Sequence, residues 1–320
     1  MTKGQSTPFL AETTLTVRAP AKINLILRIL DRRSDGYHNL WSVMHTVALG
    51  DDLRIRVTPT LPGIRLTCNT KALSSDKSNL VSKAASAVLD HAQLSVGLDL
   101  DLRKRIPMGA GLGGGSSDAA ATIVGLNQLL NLGWSTAKMA EVGQALGSDV
   151  AFFLFAPSAI VSGRGDIVRP VTIEGARWIV LVKPAFGVET RWAYQELAAT
   201  RTAVRPLSKE HAAMDRRNQL TWSELAAAAE NDFEAPVFAK HPLLDHIRRT
   251  LLDLGARIAL LSGSGATVFG LFDEESAACH AGAHLEASEG LQVFVVPTCL
   301  GPIRVSSSSS TEARSVDNLP

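Results

Sequence analysis

An α+β fold in two domains is predicted for this chain of 320 residues. Three observations predict it: a length beyond the roughly 100–200 residues of a single domain, a long N-terminal stretch of period-two alternation, and helical segments that interleave with strands without a regular βαβ repeat.

Residues 1–11 read as a flexible arm. Over residues 14–28, Leu15, Val17, Ala19, Ala21, Ile23, Leu25 and Leu27 alternate with Arg18, Lys22, Asn24 and Arg28, the period of a strand with one buried face. Further strands are expected at 42–48, 52–57, 64–68 and 97–102. Residues 79–91 carry Leu80, Ala84, Ala87 and Val88 at helical spacing. A glycine-rich run, 109–115, leads into a helix over 117–130, and a helix over 136–146 stops at Gly147. A turn-rich link at 163–166 divides an N-terminal domain, 12–165, from a C-terminal domain, 166–305. The second domain shows a strand at 177–182 and helices at 224–230 and 243–254. The latter places Leu244, Ile247, Leu251 and Leu254 on one stripe, with Gly255 just past its end. Strands at 257–262 and 266–272 flank the turn Ser262-Gly263-Ser264-Gly265, and a last strand is expected at 291–296. Residues 200–217, rich in Ala and Arg, read as a mobile excursion, and the serine-rich segment 306–320 as a disordered tail.

A composition of 46% hydrophobic and 20% charged residues excludes a disordered or fibrous chain. Lys plus Arg (32) nearly cancel Asp plus Glu (31), so no long-range field favours nucleic acid or an anionic membrane, and neither is expected as a partner. Cys68, Cys279 and Cys299 are odd in number, far apart and without a C-x-x-C pair, which suits free thiols in a reducing compartment rather than a disulfide framework or a zinc site. The N-terminus lacks the apolar segment of a secretory signal. The apolar, uncharged stretch 150–163 is broken by Pro157 and falls short of the ~20 residues a membrane helix needs. A cytoplasmic protein, monomeric or weakly dimeric, is expected.

The strongest local signal is Pro107-Met108-Gly109-Ala110-Gly111-Leu112-Gly113-Gly114-Gly115-Ser116-Ser117-Asp118. Clustered glycines let the backbone approach a ligand and present several N–H groups together. The following helix adds its free N-terminal amides and the positive end of its dipole. That is machinery for a di- or triphosphate. The plainer reading is a glycine-rich turn with Ser116 as an ordinary N-cap. No G-K-[ST] ends the run, so it is not a Walker A loop. The G-x-G-x-x-G match at Gly109, Gly111 and Gly114 lacks the acidic strand end, ~20 residues on, that a dinucleotide ribose needs. Neither H-R-D nor D-F-G accompanies it, which excludes a protein kinase.

Lys22 and Asn24, two apart on the polar face of the first strand, project together; by position alone they are also a solvated pair at an edge. Asp149 opens the apolar run Val150-Ala151-Phe152-Phe153, where a carboxylate can simply cap a turn. Asp35-Gly36-Tyr37-His38 reads as a turn resuming into a strand. Asn79 stands at a helix start, where it either caps or borders a nucleotide base.

These residues carry a resemblance. The loop PMGAGLGGGSSDAA is similar to the phosphate loop of the GHMP kinases, named for galactokinase, homoserine kinase, mevalonate kinase and phosphomevalonate kinase. The blocks APAKINLIL and SGSGATVFGLF agree with that family in order and spacing. SDGYHNLWSVMHTVALGDDL resembles the branch that phosphorylates a cytidylyl-methylerythritol in the non-mevalonate isoprenoid pathway. The likeness spans residues 19–272 apart from 200–217. It implies a two-domain GHMP kinase fold with the active site in the cleft between domains, and ATP with Mg²⁺ as cofactors. The reaction it implies is transfer of the γ-phosphoryl group to the 2-hydroxyl of the methylerythritol. By the same resemblance Lys22 and Asp149 are the catalytic pair, and Asn24 holds the acceptor or that pair. Residues 107–117 hold ATP, with Ser117 as the Mg²⁺ contact; no carboxylate ligand is evident. Tyr37 stacks on the cytosine, His38 hydrogen-bonds it, and Tyr194 covers its other face, with Trp192 as a rival. Gly263, Gly265 and Thr267 close the pocket from the second domain. One departure stands out: Ala151 occupies the position where that branch usually has proline. A homoserine or mevalonate kinase is the alternative, but those loops generally read G-L-G-S-S-A and lack the D-G-Y-H block. A dinucleotide-dependent oxidoreductase lacks its ribose ligand here, and an RNA-binding module lacks a basic stripe.

Overall fold

Alternation at the N-terminus produces the longest strand pairing of the molecule. In the computed structural model, which describes residues 14–58, 63–201, 203, 205–299 and 301–307, β1 (Thr14–Arg32) runs antiparallel to β2 (His38–Thr58). The strands expected at 42–48 and 52–57 are one, carried through the irregular register at Gly50. There follow β3 (Gly63–Cys68), α1 (Leu80–Ala92), β4 (Gly97–Arg103), α2 (Gly114–Leu129), α3 (Thr136–Gln144), α4 (Val150–Phe155), β5 (Ser158–Gly163) and β6 (Ile167–Pro170). The second half contains β7 (Thr172–Ile173), β8 (Trp178–Pro184), α5 (Thr190–Thr200), α6 (Lys209–Met214), β9 (Gln219–Leu220), α7 (Trp222–Ala228) and β10 (Glu230–Asn231). It ends with α8 (Glu234–Lys240), α9 (Pro242–Asp253), β11 (Ile258–Leu261), β12 (Val268–Phe272), α10 (Glu275–Glu286), β13 (Leu291–Pro297) and β14 (Arg304–Ser307).

Strands and helices are mixed as expected, but the chain does not divide cleanly at 165/166. That point lies inside the β5–β6 hairpin, and β6 belongs to the first sheet. β10 and β14 return from the second half to pair with β1. A strand edge offers unpaired N–H and C=O groups to whatever segment reaches it, however distant in sequence. The first sheet has the order β10-β1-β2-β4-β3 with β14, β5 and β6 off this path; the second has the order β11-β12-β8-β13. β14 reaches into the expected tail, pairing Ser306 and Ser307 with Thr16 and Leu15. The arm at 1–11 and residues 308–320 lie outside the described residues. Part of the expected excursion at 200–217 is ordered as α6, capped by Ser208.

β1 is buried on both faces, not one. Ala21, Ile23, Leu25 and Ile26 pack with Ile179, Leu181, Phe269 and Leu271, where the two sheets face each other. Val17, Leu27, Leu53 and Ile55 join the opposite core under α1 and α2. The polar row that alternation assigned to solvent is enclosed: Lys22, Asn24 and Arg28 are 4%, 1% and 2% exposed. Arg28 ties β1 to the second half through Glu230 at 2.7 Å and Asp232 at 3.3 Å.

Candidate active site

A bulge in β1 builds the floor of the site. The register slips between Asn24 and Ile26, leaving Leu25 as an extra residue. Leu25 and Ile26 therefore both enter the core between the sheets, while Lys22, Asn24 and Leu27 line one cleft. Lys22 Nζ donates to Asn24 Oδ1 at 2.6 Å, Asn24 Nδ2 to Ser42 Oγ at 2.9 Å, and Ser42 Oγ to the Ile26 carbonyl at 2.6 Å. Because the Ser42 proton is committed to Ile26, Ser42 accepts from the Asn24 amide, and that fixes the Asn24 oxygen toward Lys22. Burial holds the Lys22 pKa below the ordinary lysine value, with the nearby charge of Asp149 opposing the shift.

The glycine run forms the wall. α2 starts earlier than expected, with Gly113 rather than Ser116 as N-cap and no side chain capping its first amides. Those N–H groups and the positive helix end stay free for an anion. Ala110 and Leu112 point into the core and anchor the loop, and the Leu112 carbonyl accepts from Lys22 N at 3.0 Å. Ser116 faces the cleft; Ser117 does not, being fully buried with its hydroxyl donated to the Pro20 carbonyl at 2.6 Å. Ser117, the expected Mg²⁺ contact, therefore has its hydroxyl turned away from the cleft, and Ser116 is the serine of the pair that lines it. Among the described residues no cluster of three or more His, Cys, Asp or Glu could hold a metal. A lone hydroxyl donor suits Mg²⁺, an ion bound chiefly by substrate phosphates and water.

The turn at 262–265 closes over this loop. Ser262 Oγ donates to the Gly111 carbonyl at 3.0 Å and Thr267 N to the Ala110 carbonyl at 3.2 Å. Asn231, not foreseen from sequence, holds the turn by donating to Leu261 and Gly263 carbonyls at 2.7 and 2.8 Å. Gly263 and Ser264 line the cleft; Gly265 and the buried Thr267 side chain do not, so Thr267 serves through its backbone. On the facing side Asp149 stands at the N-terminus of α4 without capping it, which leaves the carboxylate to the cleft.

Together these residues enclose a cleft of about 1080 Å³ that also contains Tyr37, His38 and Tyr194. The Asp35-Gly36 turn presents Tyr37 outward, 61% exposed, with the Arg164 guanidinium 5.5 Å from its ring centre. Tyr194, expected to cover the other face of the base from Tyr37, lines the cleft and stacks on His38 at 5.2 Å and 25°, with a T-shaped contact to Phe233. Burial pushes the Tyr194 hydroxyl up to about 12, reinforced by Asp149. Burial, with Arg32 and Arg201 nearby, lowers the His38 pKa and favours a neutral imidazole. Trp192 points elsewhere, beneath the Lys240 ammonium at 3.8 Å. Asn79 caps α1 by accepting from Val81 N at 2.9 Å, so of its two readings the cap is the one realised. Sequence reasoning also missed Ser42, Arg164, Thr190 and Ser264. Only Ser264, inside the glycine-flanked turn, carried a local signal.

Two family models match the chain: GHMP kinases N terminal domain over residues 79–156, and GHMP kinases C terminal over residues 211–286. The 4-diphosphocytidyl-2-C-methyl-D-erythritol kinase of Geobacter sp. (strain M21) is 41% identical over 89% of this chain and 99% of its own. Its counterpart from Thermodesulfovibrio yellowstonii is 38% identical over 91% and 100%. A crystal structure of a 4-(cytidine 5'-diphospho)-2C-methyl-D-erythritol kinase superposes with a TM-score of 0.73 at 32% identity, over 89% of this chain and all of that one. Homoserine kinase from Cytophaga hutchinsonii gives 0.72 over 94% and 100%, but at 20% identity that likeness concerns the fold alone. No helix among the described residues is long and apolar enough to cross a membrane.

Proposed function

This chain belongs to the GHMP kinases, and within them to the 4-diphosphocytidyl-2-C-methyl-D-erythritol kinases, and from that membership we propose that Lys22 and Asp149 carry the phosphoryl transfer. The chain is an ATP-dependent small-molecule kinase of the non-mevalonate isoprenoid route. It phosphorylates the 2-hydroxyl of 4-diphosphocytidyl-2-C-methyl-D-erythritol.

The observation that supports the proposed roles is the convergence, on one cleft, of an uncapped glycine loop, an exposed aromatic and the Lys22–Asp149 pair. ATP phosphates would lie on the amides of residues 113–116. The acceptor's cytosine would stack on Tyr37 and hydrogen-bond His38, which Tyr194 backs. Asp149 accepts the proton of the 2-hydroxyl as its oxygen bonds the γ-phosphorus and the bond to the β-phosphate oxygen breaks, releasing ADP. Lys22, aimed by Asn24, offsets the negative charge spread over the transferring group. Mg²⁺, with Ser116 as its protein contact, would neutralise phosphate charge. A cytoplasmic monomer or weak homodimer belongs to the same proposal.

ADP release measured with the cytidylyl acceptor, against homoserine and mevalonate as controls, tests the substrate. Asp149→Asn should lower kcat by ~10²–10⁴ with little change in either KM. A kcat near that of the unmodified chain would remove Asp149 from the base role.

A further inference from the structure

Behind the glycine loop lies an ionic cluster that the phosphoryl transfer does not use. Lys104, just past β4, is nearly buried, and its ammonium donates to Asp51 of β2 and to Asp118 of α2, the latter at 2.7 Å. The two carboxylates reach opposite ends of the loop. Asp51 Oδ1 accepts from the backbone N–H groups of Arg105 and Ile106, the limb that leads into the glycines. Asp118 lies on the first turns of α2, the limb that leads out. The Lys104 ammonium itself sits under the start of that helix, 3.2 Å from where a Cβ on Gly114 would be. Asn69 fixes the Lys104 backbone on both sides, accepting from its N–H at 2.8 Å and donating to its carbonyl at 3.2 Å.

We propose that Lys104 is a positioning residue for nucleotide binding: through Asp51 and Asp118 it buckles the two limbs of the glycine loop together and sets the span of the amide cradle. The inference rests on the reading that this loop holds ATP. An amide cradle binds phosphate only while its N–H groups converge, and a displacement near 1 Å is enough to lose that convergence. Glycines cannot hold that shape by themselves, since they admit many conformations. The ion pairs are enclosed, so salt screens them little, and the hydrogen bonds are charge-assisted.

Steady-state kinetics and calorimetric titration with ATP test the assignment. Lys104→Met should raise the ATP KM about tenfold or more, while the KM of the cytidylyl acceptor stays within about twofold. Lys104→Arg, which keeps the charge, should recover part of the loss. A purely structural role predicts otherwise: a lower melting temperature and less active enzyme, with both KM values unchanged. That result would overturn the proposal. Should Lys104→Met fail to fold, Asp118→Ala removes the acceptor on α2, keeps the Lys104–Asp51 pair and releases only the outgoing limb. It should raise the ATP KM a few-fold with the acceptor KM unmoved, and an unmoved ATP KM overturns the proposal there too. If the unmodified chain itself binds no ATP, the nucleotide reading falls and takes the buckle with it. If it binds ATP and the variants keep its KM, the buckle alone falls.

Discussion

Gly111 is the point where the phosphate loop and the turn at 262–265 come closest, and its replacement by alanine tests whether that contact holds the site together. A Cβ there would lie 2.0 Å from the Ser262 carbonyl oxygen and 3.1 Å from that of Gly265. A carbon–oxygen contact needs ~3.3 Å, so the loops must part by more than an ångström. That displacement breaks the Ser262–Gly111 and Thr267–Ala110 hydrogen bonds, each contributing ~0.5–1.5 kcal/mol. Gly111 also has φ 74°, which costs an alanine ~1–2 kcal/mol. The sum is roughly 2–5 kcal/mol of stability. Gly109 separates the two causes, because it shares the left-handed backbone at φ 61° but has nothing within 4 Å of its Cβ position. Gly109→Ala should lose only the backbone cost of ~1–2 kcal/mol. Denaturant unfolding reads the stability, and ADP release with saturating substrates reads kcat. Gly111→Ala should lose ~10²-fold in kcat, and Gly109→Ala should keep most of its rate. Equal losses of stability and rate in the two variants would show that the loops do not bear on each other in solution.

Three further outcomes are expected. Asn24→Leu deprives the Lys22 ammonium of its 2.6 Å acceptor, a charge-assisted bond of ~1.5–3 kcal/mol, so kcat should fall about 10–150-fold with both KM values nearly constant; an unchanged kcat would show that Lys22 needs no aiming. Tyr37→Ala should raise the KM of the cytidylyl acceptor by about one to two decades, the value of one stacked base, and spare that of ATP; equal effects on both would contradict the stacking assignment. Stability against pH should reflect two buried groups of opposite sign. Burial pushes the Glu234 carboxyl up to about 7, so its contribution is full below about 4.5 and is lost as pH rises to about 7. Burial lowers His45 to about 4, so its contribution is present above about 6.5 and is lost as pH falls toward 4. The two slopes oppose each other between pH 4.5 and 6.5. Urea unfolding of Glu234→Gln should therefore show stability climbing more steeply with pH there, and an unaltered slope would refute the assignment.

The parts of the site legible in the sequence are those whose chemistry is local. Glycine clustering announces a phosphate loop because the property belongs to the backbone itself, and Asp-Gly announces the turn that presents Tyr37. The polar side of the first strand announced Lys22 and Asn24 as neighbours. It could not reveal that both are buried, because the second sheet that covers β1 comes from residues more than a hundred positions later. Ser117 misled for a related reason: in the sequence it matches Ser116, and only the pitch of α2 turns one hydroxyl to the cleft and the other to Pro20. Tyr194 was placed correctly in the cleft, yet its ring partner is set by how α5 meets β2, which no local pattern encodes. Asn231 is the extreme case. It sits on a two-residue strand without periodicity, and its role exists only because β10 lies beside the turn at 262–265.

The charge arithmetic looks different once the cleft is in view. A net charge of +1 argues against polyanionic partners only if charge is spread evenly. The cleft gathers Lys22, Arg32, Arg164 and Arg191 against the single carboxylate Asp149, a local excess of +3 inside a nearly neutral molecule. His38, held below its usual pKa, adds little to that excess at neutral pH. To these the glycine loop adds amide dipoles that no count of side chains includes. Two phosphate-bearing substrates can therefore be drawn into one cleft of a chain whose net charge is only +1. Of the cleft cations only Lys22 is buried, so its charge is the one least screened by solvent, whereas Arg32, Arg164 and Arg191 are exposed and their pull weakens with salt.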